Sequence, residues 1–449
     1  MTIRFTSSAA LFSSLIVAVA AAACGGIATS PEGDPSSTGP GGAARGPTPP
    51  ASGDPGAAAP TKAPRPVGPH TGTVATTDVS ILYPLPAGAA SRDFVRASAS
   101  GAHGSLLPRT ALDAVLSGRS LDNRNPASMS YDALGLVSVR LDPCSARGSA
   151  SAAGTCRSEV RLVFQALYER SAADPVDPAD PSVGSAATDG GVHVVYDLTL
   201  AELATMLQQI LTLKHASGDG ATEELGPHPI LVAQGLGGVF AQGLRDIVLE
   251  HAGEDRIGRV TFFDHQNSEG DTWTFGVFDR TPAGAGGVLT ATTIPLTDST
   301  TQTVSGSSAV GAFTSSFADG TSSTGGDSLT PLLTSGRPAP GSAGVASLQV
   351  AFDAALRVQN PTLHDVQTTD CATCHLAEGA RRVGEDVYAL STANAFTHRR
   401  SLARVDSRSS VTNLHAFGYL GRQVAVMQRT ANESVIVADS MFRLLAPPK

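Results

Sequence analysis

Two thiols three positions apart, Cys371 and Cys374, with an imidazole directly after the second, His375, are the residues of this chain best placed to do chemistry. The run Cys-Ala-Thr-Cys-His is C-x-x-C-H, the spacing of covalent c-type haem attachment. Two thiols add across the two vinyl groups of the porphyrin, which then cannot dissociate. The neighbouring imidazole supplies one axial nitrogen to the iron. One such motif predicts one haem c. A plain disulfide between Cys371 and Cys374 is the competing use. Zinc would want a second C-x-x-C unit or a matching His pair, and thiol redox catalysis a preceding βαβ pattern; neither is present. The second axial ligand stays open. His364, seven residues before Cys371 and able to reach back along an extended chain, and Met427 are the preferred candidates, followed by His398 and His415. A Met ligand raises the potential, a second His lowers it, and an open position admits peroxide or diatomic chemistry.

The other cysteines narrow the compartment. The count is five, an odd number that is informative once each has a use. Cys24 closes an export signal, and Cys144 and Cys156 are free to pair. Each of these uses needs an oxidising, exported location. The net charge of −9 argues against nucleic acid or an anionic membrane surface as the main partner, since both demand a clustered basic face. A redox partner protein fits the single haem, because one iron hands electrons on only to a docked neighbour.

The elements that must deliver and position the motif come next. Residues 1–23 have one early cation, Arg4, then an apolar stretch from Ala9 ending in Ala21-Ala22-Ala23, a secretory signal. The small residues before Cys24 and Gly25-Gly26 after it resemble a bacterial lipoprotein signal, with Ala21 where Leu is usual. The resemblance implies lipidation of Cys24, a membrane anchor, and a place in the cell envelope on the periplasmic or surface side of a bacterial outer membrane. Residues 24–72 hold this Cys and a Gly/Pro/Ala/Ser/Thr tether that cannot bury enough apolar surface to order itself. About 48 such residues reach roughly 40 Å root-mean-square.

Residues 73–295 read as an α+β domain. Val74–Tyr83 predicts a strand and Leu106–Leu116 a short helix. Val137, Val139 and Leu141 alternate, as do Val160, Leu162 and Phe164, two half-buried strands. Cys144 and Cys156 sit at the inner ends of this hairpin, where a disulfide would contribute on the order of 3 kcal/mol. Val192–Tyr196 is a further strand. Thr199-Leu-Ala-Glu202 is a capping box before a helix whose face carries Leu203, Met206, Leu207, Ile210 and Leu211. A second helix is expected over Ile230–His251, then a hairpin of Ile257–Asp264 with Trp273–Asp279, and a strand at Val288–Ile294. Gly235-Leu-Gly-Gly lacks the Lys-Ser/Thr of a phosphate loop. His193, His215, His228, His251 and His265 lack metal-site spacing, and neither G-x-S-x-G nor a paired carboxylate motif occurs. Residues 296–345 are a Ser/Thr/Gly-rich connection with short apolar islands that need somewhere to bury.

Residues 346–449 are expected to be mainly helical. Val345, Leu348, Phe352 and Leu356 recur at helical spacing until Pro361, and Thr430-Ala-Asn-Glu433 opens a last helix. The motif and Phe396, Leu414, Phe417 and Tyr419, suitable porphyrin walls, lie between. This last quarter resembles a small single-haem cytochrome c domain, which implies crossed terminal helices and electron transfer. It departs from that family in a first helix ending ten residues before Cys371 and in having no Met-Pro distal loop. Asn360-Pro361 with His364, Asp370-Cys371-x-x-Cys374-His375, Asn413-Leu414-x-Ala416-Phe417-Gly418-Tyr419 and Gln428-Arg429-x-x-Asn432-Glu433-Ser434 also resemble a group of exported lipoproteins, a resemblance that implies no activity. Three functions are therefore expected of such a chain: a membrane-anchored c-type cytochrome, a haem-dependent peroxidase or oxidase, or a non-redox binding lipoprotein whose C-x-x-C is a disulfide.

Overall fold

One strand after another in the middle of this chain alternates apolar residues with polar or charged ones, and that alternation gives the sheet two unlike faces. The computed structural model describes residues 73–88, 94–116, 131–143, 157–170, 184–220, 222–266, 271–281, 286–307, 312–313, 328–334, 336–365, 368–400 and 414–446. The signal, Cys24, the tether, Cys144 and Cys156 lie outside them. Residues 63–449 belong to one folded unit, of mixed α and β structure.

In chain order the elements are α1 (Thr76–Val79), β1 (Ser80–Leu82), β2 (Ser100–Gly101), β3 (Gly104–Ser105), α2 (Arg109–Leu116), β4 (Leu134–Asp142), β5 (Ser158–Arg170), β6 (Gly184–Ala187) and β7 (Gly191–Leu198). Then come α3 (Leu200–Ser217), α4 (Pro229–Gln234), α5 (Val239–His251), β8 (Ile257–Gln266), β9 (Asp271–Thr281), β10 (Val288–Ala291), β11 (Thr301–Ser307) and β12 (Ala312–Phe313). The last are α6 (Thr330–Leu333), α7 (Leu348–Val358), α8 (Cys371–Arg382), β13 (Phe417–Leu420), β14 (Gln423–Val426) and α9 (Gln428–Leu445). The main sheet runs β1-β4-β5-β7-β8-β9-β11-β12, with β6 beside β5 and β10 beside β9. Its ladders are antiparallel, so the mixture is α+β rather than α/β.

Val160, Leu162 and Phe164 of β5 and Val192, Val194 and Tyr196 of β7 are buried in one core with Leu203, Met206 and Leu207 of α3 and Phe240, Leu244 and Val248 of α5. The capping box predicted at Thr199 is present, its hydroxyl accepting from the Glu202 N–H at 3.2 Å. The opposite face carries Glu159, Arg161 and Val163, then His193, Val195 and Asp197, then Arg259, Thr261 and Phe263. The C-terminal elements stand over this face. Leu348, Phe352 and Leu356 of α7 and Ala372, Leu376 and Ala380 of α8 share a second core with Phe263, Trp273 and Phe275. A fully buried Leu or Phe contributes about 1.5–3 kcal/mol, against about 0–1 for an exposed ion pair. Apolar burial therefore anchors α7 and α8.

Four expectations about elements change. The last helix, α9, opens at Gln428 behind Met427, which makes no side-chain cap bond, and not at a capping box on Thr430, whose hydroxyl donates to the Ala416 carbonyl at 3.0 Å instead. Within Val74–Tyr83 a helical turn, α1, precedes a short β1. Asp78 Oδ2 accepts from the Ala75 N–H and the Lys214 ammonium, both at 2.8 Å, which fixes the turn. The helix over Ile230–His251 is two, α4 and α5, because Gly235 takes a left-handed φ of 71° that glycine adopts without cost. The strand at Val288–Ile294 pairs with β9 only over Val288–Ala291. Within the Ser/Thr/Gly-rich stretch, β11 joins the sheet beside β9.

Gln165 of β5 ties the C-terminal hairpin of β13 and β14 to the sheet. Its Nε2 donates to the carbonyls of Tyr419 (2.8 Å) and Thr188 (3.0 Å), and its Oε1 accepts the Tyr419 N–H at 2.8 Å. Gln165→Leu leaves those buried backbone groups unpaired, at about 1–3 kcal/mol each. The expected result in urea is a single unfolding transition lowered by about 3 kcal/mol. Two separate transitions in the wild type, or an unchanged midpoint in the variant, would contradict this tie.

Candidate functional site

The motif opens α8, and a helix puts positions i, i+3 and i+4 on one face. Cys371, Cys374 and His375 therefore point the same way. Asp370 fixes the start of the helix. Its Oδ1 accepts the Thr373 N–H at 2.9 Å and also the Gln302 side-chain amide of β11 at 2.7 Å. Gln302 returns its own oxygen to the Ala372 N–H at 2.8 Å. The first turn of the motif is thus capped from within and clamped from the sheet.

Cys371 and Cys374 are free thiols. Burial, with Asp370 and the other thiol adding to it, pushes Cys371 up to about 12, and burial raises Cys374 as well. A catalytic thiol pair needs the opposite, a depressed thiolate at the helix N-terminus. His375 donates Nδ1–H to the Leu414 carbonyl. That bond assigns the tautomer and leaves Nε2 as the nitrogen with a lone pair, the way second-shell carbonyls orient ligating imidazoles. Burial lowers its pKa and the Leu414 bond offsets part of this. The ring packs against Phe275 and Phe263, with centroids at 5.2 and 5.5 Å.

The motif faces a cavity of ≈ 610 Å³ between the charged face of the sheet and the C-terminal segment. Arg140, Arg161, His193 and Arg259 come from the sheet, Phe263 and Phe275 form the aromatic end, and Met427, Arg429 and Glu433 come from the start of α9. Arg140 and Arg161 are directly opposite on β4 and β5, and like charges so placed repel. Glu433 lies between them, 3.0 Å from Arg140 and 2.8 Å from Arg429, and Glu159 pairs with Arg161 at 2.7 Å. Burial alone would raise the Glu433 carboxyl, yet Arg429, Arg140 and Arg161 hold it down at about 2. Two buried guanidinium nitrogens of the lining, Arg140 Nε and Arg161 Nε, have no hydrogen-bond partner among the described residues.

The sequence-predicted site residues separate on this geometry. Cys371, Cys374, His375 and Met427 line the same cavity. His364 does not line it. It is buried, its Nδ1 lies 3.1 Å from the Thr368 carbonyl, and its own carbonyl accepts from Arg429. His398 is 3.3 Å from Asp439, and His415 packs edge-on against Phe263 at 5.0 Å; neither is a lining residue. His193, Gln302 and the Arg140–Arg161 pair belong to the site and carry no motif. The alternation of β4 and β5 marked Arg140 and Arg161 as lying on a polar face, but not that this face is covered, and Gln302 lies in the stretch read as a connection.

Among the described residues no three His, Cys, Asp or Glu side chains converge on a point that would hold a bare metal ion, and no helix is long and apolar enough to cross a membrane. Comparison with protein-family models, with curated proteins and with solved structures returns no match.

Burial brings His415 down to about 4. Between pH 6.5 and 4 the unfolded chain binds more protons than the folded one at this group, so stability falls as pH falls, by about 3 kcal/mol for one imidazole. Glu433 acts in a lower window. Its contribution is present above pH 4.5 and is lost as pH falls through about 2. The protein is therefore expected to lose thermal stability from pH 6.5 downward. Glu433→Gln should cost about 3 kcal/mol at pH 7, because the clustered guanidiniums lose their counter-ion, and should flatten the profile below pH 4.5. A melting temperature constant from pH 7 to 4 would contradict the His415 argument.

Proposed function

We propose that this chain is an exported protein, anchored in the cell envelope through a lipidated Cys24, that holds one haem c and passes single electrons to a docked redox partner. One observation carries the reading: both thiols and the imidazole of a single C-x-x-C-H motif open from one helix face into one cavity. The donor set suits the group. Two thiols and a neutral imidazole with a free Nε2 are the attachment chemistry, and ≈ 610 Å³ is a cofactor-sized volume, roughly 300–1,000 Å³ being usual. The lining side chains of Arg140, Arg161 and Arg259 are the cations for the carboxylates that a porphyrin brings.

Each residue then has a task. Cys371 and Cys374 would each hold the porphyrin through a thioether, the S–H adding across a vinyl double bond with no net oxidation. His375 would hold the iron through Nε2 while the Leu414 carbonyl accepts from its Nδ1–H. Gln302 and Asp370 keep the helix turn in register, and Phe263 and Phe275 wall the imidazole from water. When bound, the haem supplies a one-electron couple at its iron. We place the C-terminal elements as a haem-enclosing, cytochrome c-like segment that uses the sheet as its other wall. This arrangement accounts for the absence of a Met-Pro distal loop.

The test is a reduced-minus-oxidised spectrum with a pyridine haemochrome assay on protein exported from a host that matures c-type cytochromes. One c-type haem per chain is expected, and none in the Cys371→Ala/Cys374→Ala double variant. Absence of haem in the wild type under those conditions would overturn the proposal and leave the disulfide-type lipoprotein.

A further inference from the structure

We infer that His193 of β7 is the second axial ligand to the haem iron, an inference that rests on the function proposed above. Among the described residues two imidazoles line the cavity, His375 and His193. They reach it from different elements, one from the covering helix and one from the middle of the sheet, where His193 is in register with Val163 of β5 and Thr261 of β8. The phenyl ring of Phe263 packs near both, at 5.5 Å from His375 and at 6.1 Å, edge-on, from His193.

Beyond its backbone ladder bonds to β5 and β8, the His193 side chain is half-buried and lines the cavity. Its ring nitrogens are not among the buried unpartnered atoms, so a group in the cavity can meet them. An imidazole that faces a cavity from the strand opposite the motif helix is placed to ligate a metal held there.

The rivals are less demanding. Met427 lines the same cavity, but a buried thioether is satisfied by apolar packing and needs no acceptor or donor. His364 and His398 have their rings beside Thr368 and Asp439. With His193 in place the iron has two imidazoles and no open position, which sets a low potential and favours electron transfer over peroxide chemistry.

The experiment uses the exported holoprotein and reads haem content, ferric spin state by electron paramagnetic resonance, and carbon monoxide binding to the reduced form. Wild type is expected to be low-spin and not to bind carbon monoxide. His193→Ala is expected to keep one covalent haem per chain, to become high-spin, to bind about one carbon monoxide per haem, and to return to low-spin with added imidazole. A low-spin His193→Ala protein that still excludes carbon monoxide would overturn the inference while leaving the haem reading intact. Conversion in Met427→Ala instead would transfer the role to Met427. A wild type that carries haem but is already high-spin would also overturn it. A wild type without haem would overturn both. If His193→Ala does not accumulate, His193→Met supplies the readout: an upward shift of midpoint potential is expected, and an unchanged potential counts against ligation.

Discussion

The carboxylate of Glu433 is set among three guanidiniums, and the shape of the site follows from that balance. Arg140 and Arg161 are neighbours across β4 and β5, a pairing that repels unless an anion intervenes. The anion arrives on α9. Placing it there brings the start of α9 against the sheet and puts Met427, Arg429 and Thr430 into the cavity wall. Arg429 then binds onward to the carbonyls of Val358 and His364, and Asn432 to that of Gln359, where α7 has run out of helical partners. Gln428 N–H and Gln359 Nε2 both donate to Glu378 of α8, at 3.0 and 2.9 Å. These polar contacts link α7, α8 and α9 to the sheet alongside the apolar burial that anchors α7 and α8. The run Gln428-Arg429-x-x-Asn432-Glu433-Ser434 reads as the scaffold of the cavity rather than as reacting groups.

Much of this was legible locally. The capping box at Thr199, the apolar stripe of α3, the β4–β5 hairpin and the β8–β9 hairpin follow from period and caps, because those patterns report on the face that meets a core. The motif residues were legible for the same reason that they are compact: Cys371, Cys374 and His375 carry their geometry in their spacing. Asp370 before Cys371 marks a helix start inside a segment whose composition otherwise reads as loop. His193 and Gln302 were not legible. Each is one polar residue on a strand face that alternation alone assigns to solvent, and only the arrival of α7, α8 and α9 from far along the chain makes that face an interior. Gln302 was further hidden in a stretch whose Ser/Thr/Gly composition is that of a connection. There the ladder to β9, not intrinsic propensity, makes the strand.

A sheet with one apolar and one charged face ordinarily leaves the second to water. Here it is roofed, and the roof does not close down on it. The helices bury their apolar residues against Phe263, Trp273 and Phe275 at the β8–β9 end and near Phe417 and Tyr419 of β13 in the larger core. Between these two packed regions the floor interleaves charged Glu159, Arg161 and Arg259 with Val163 and Val195, and the gap becomes the cavity. Among the described residues its lining holds six arginines and six carboxylates, a formal charge of zero. For the haem proposed above, this neutrality would bear on the potential. A net cationic enclosure would favour the less positive, reduced state, and a net anionic one the oxidised state, through charge terms that are strong where water is scarce. With the two signs balanced, the lining contributes little bias of its own. Under the proposed function the potential would be left to the residues that hold the iron, so the partner of His375 would be the main chemical variable that this fold controls.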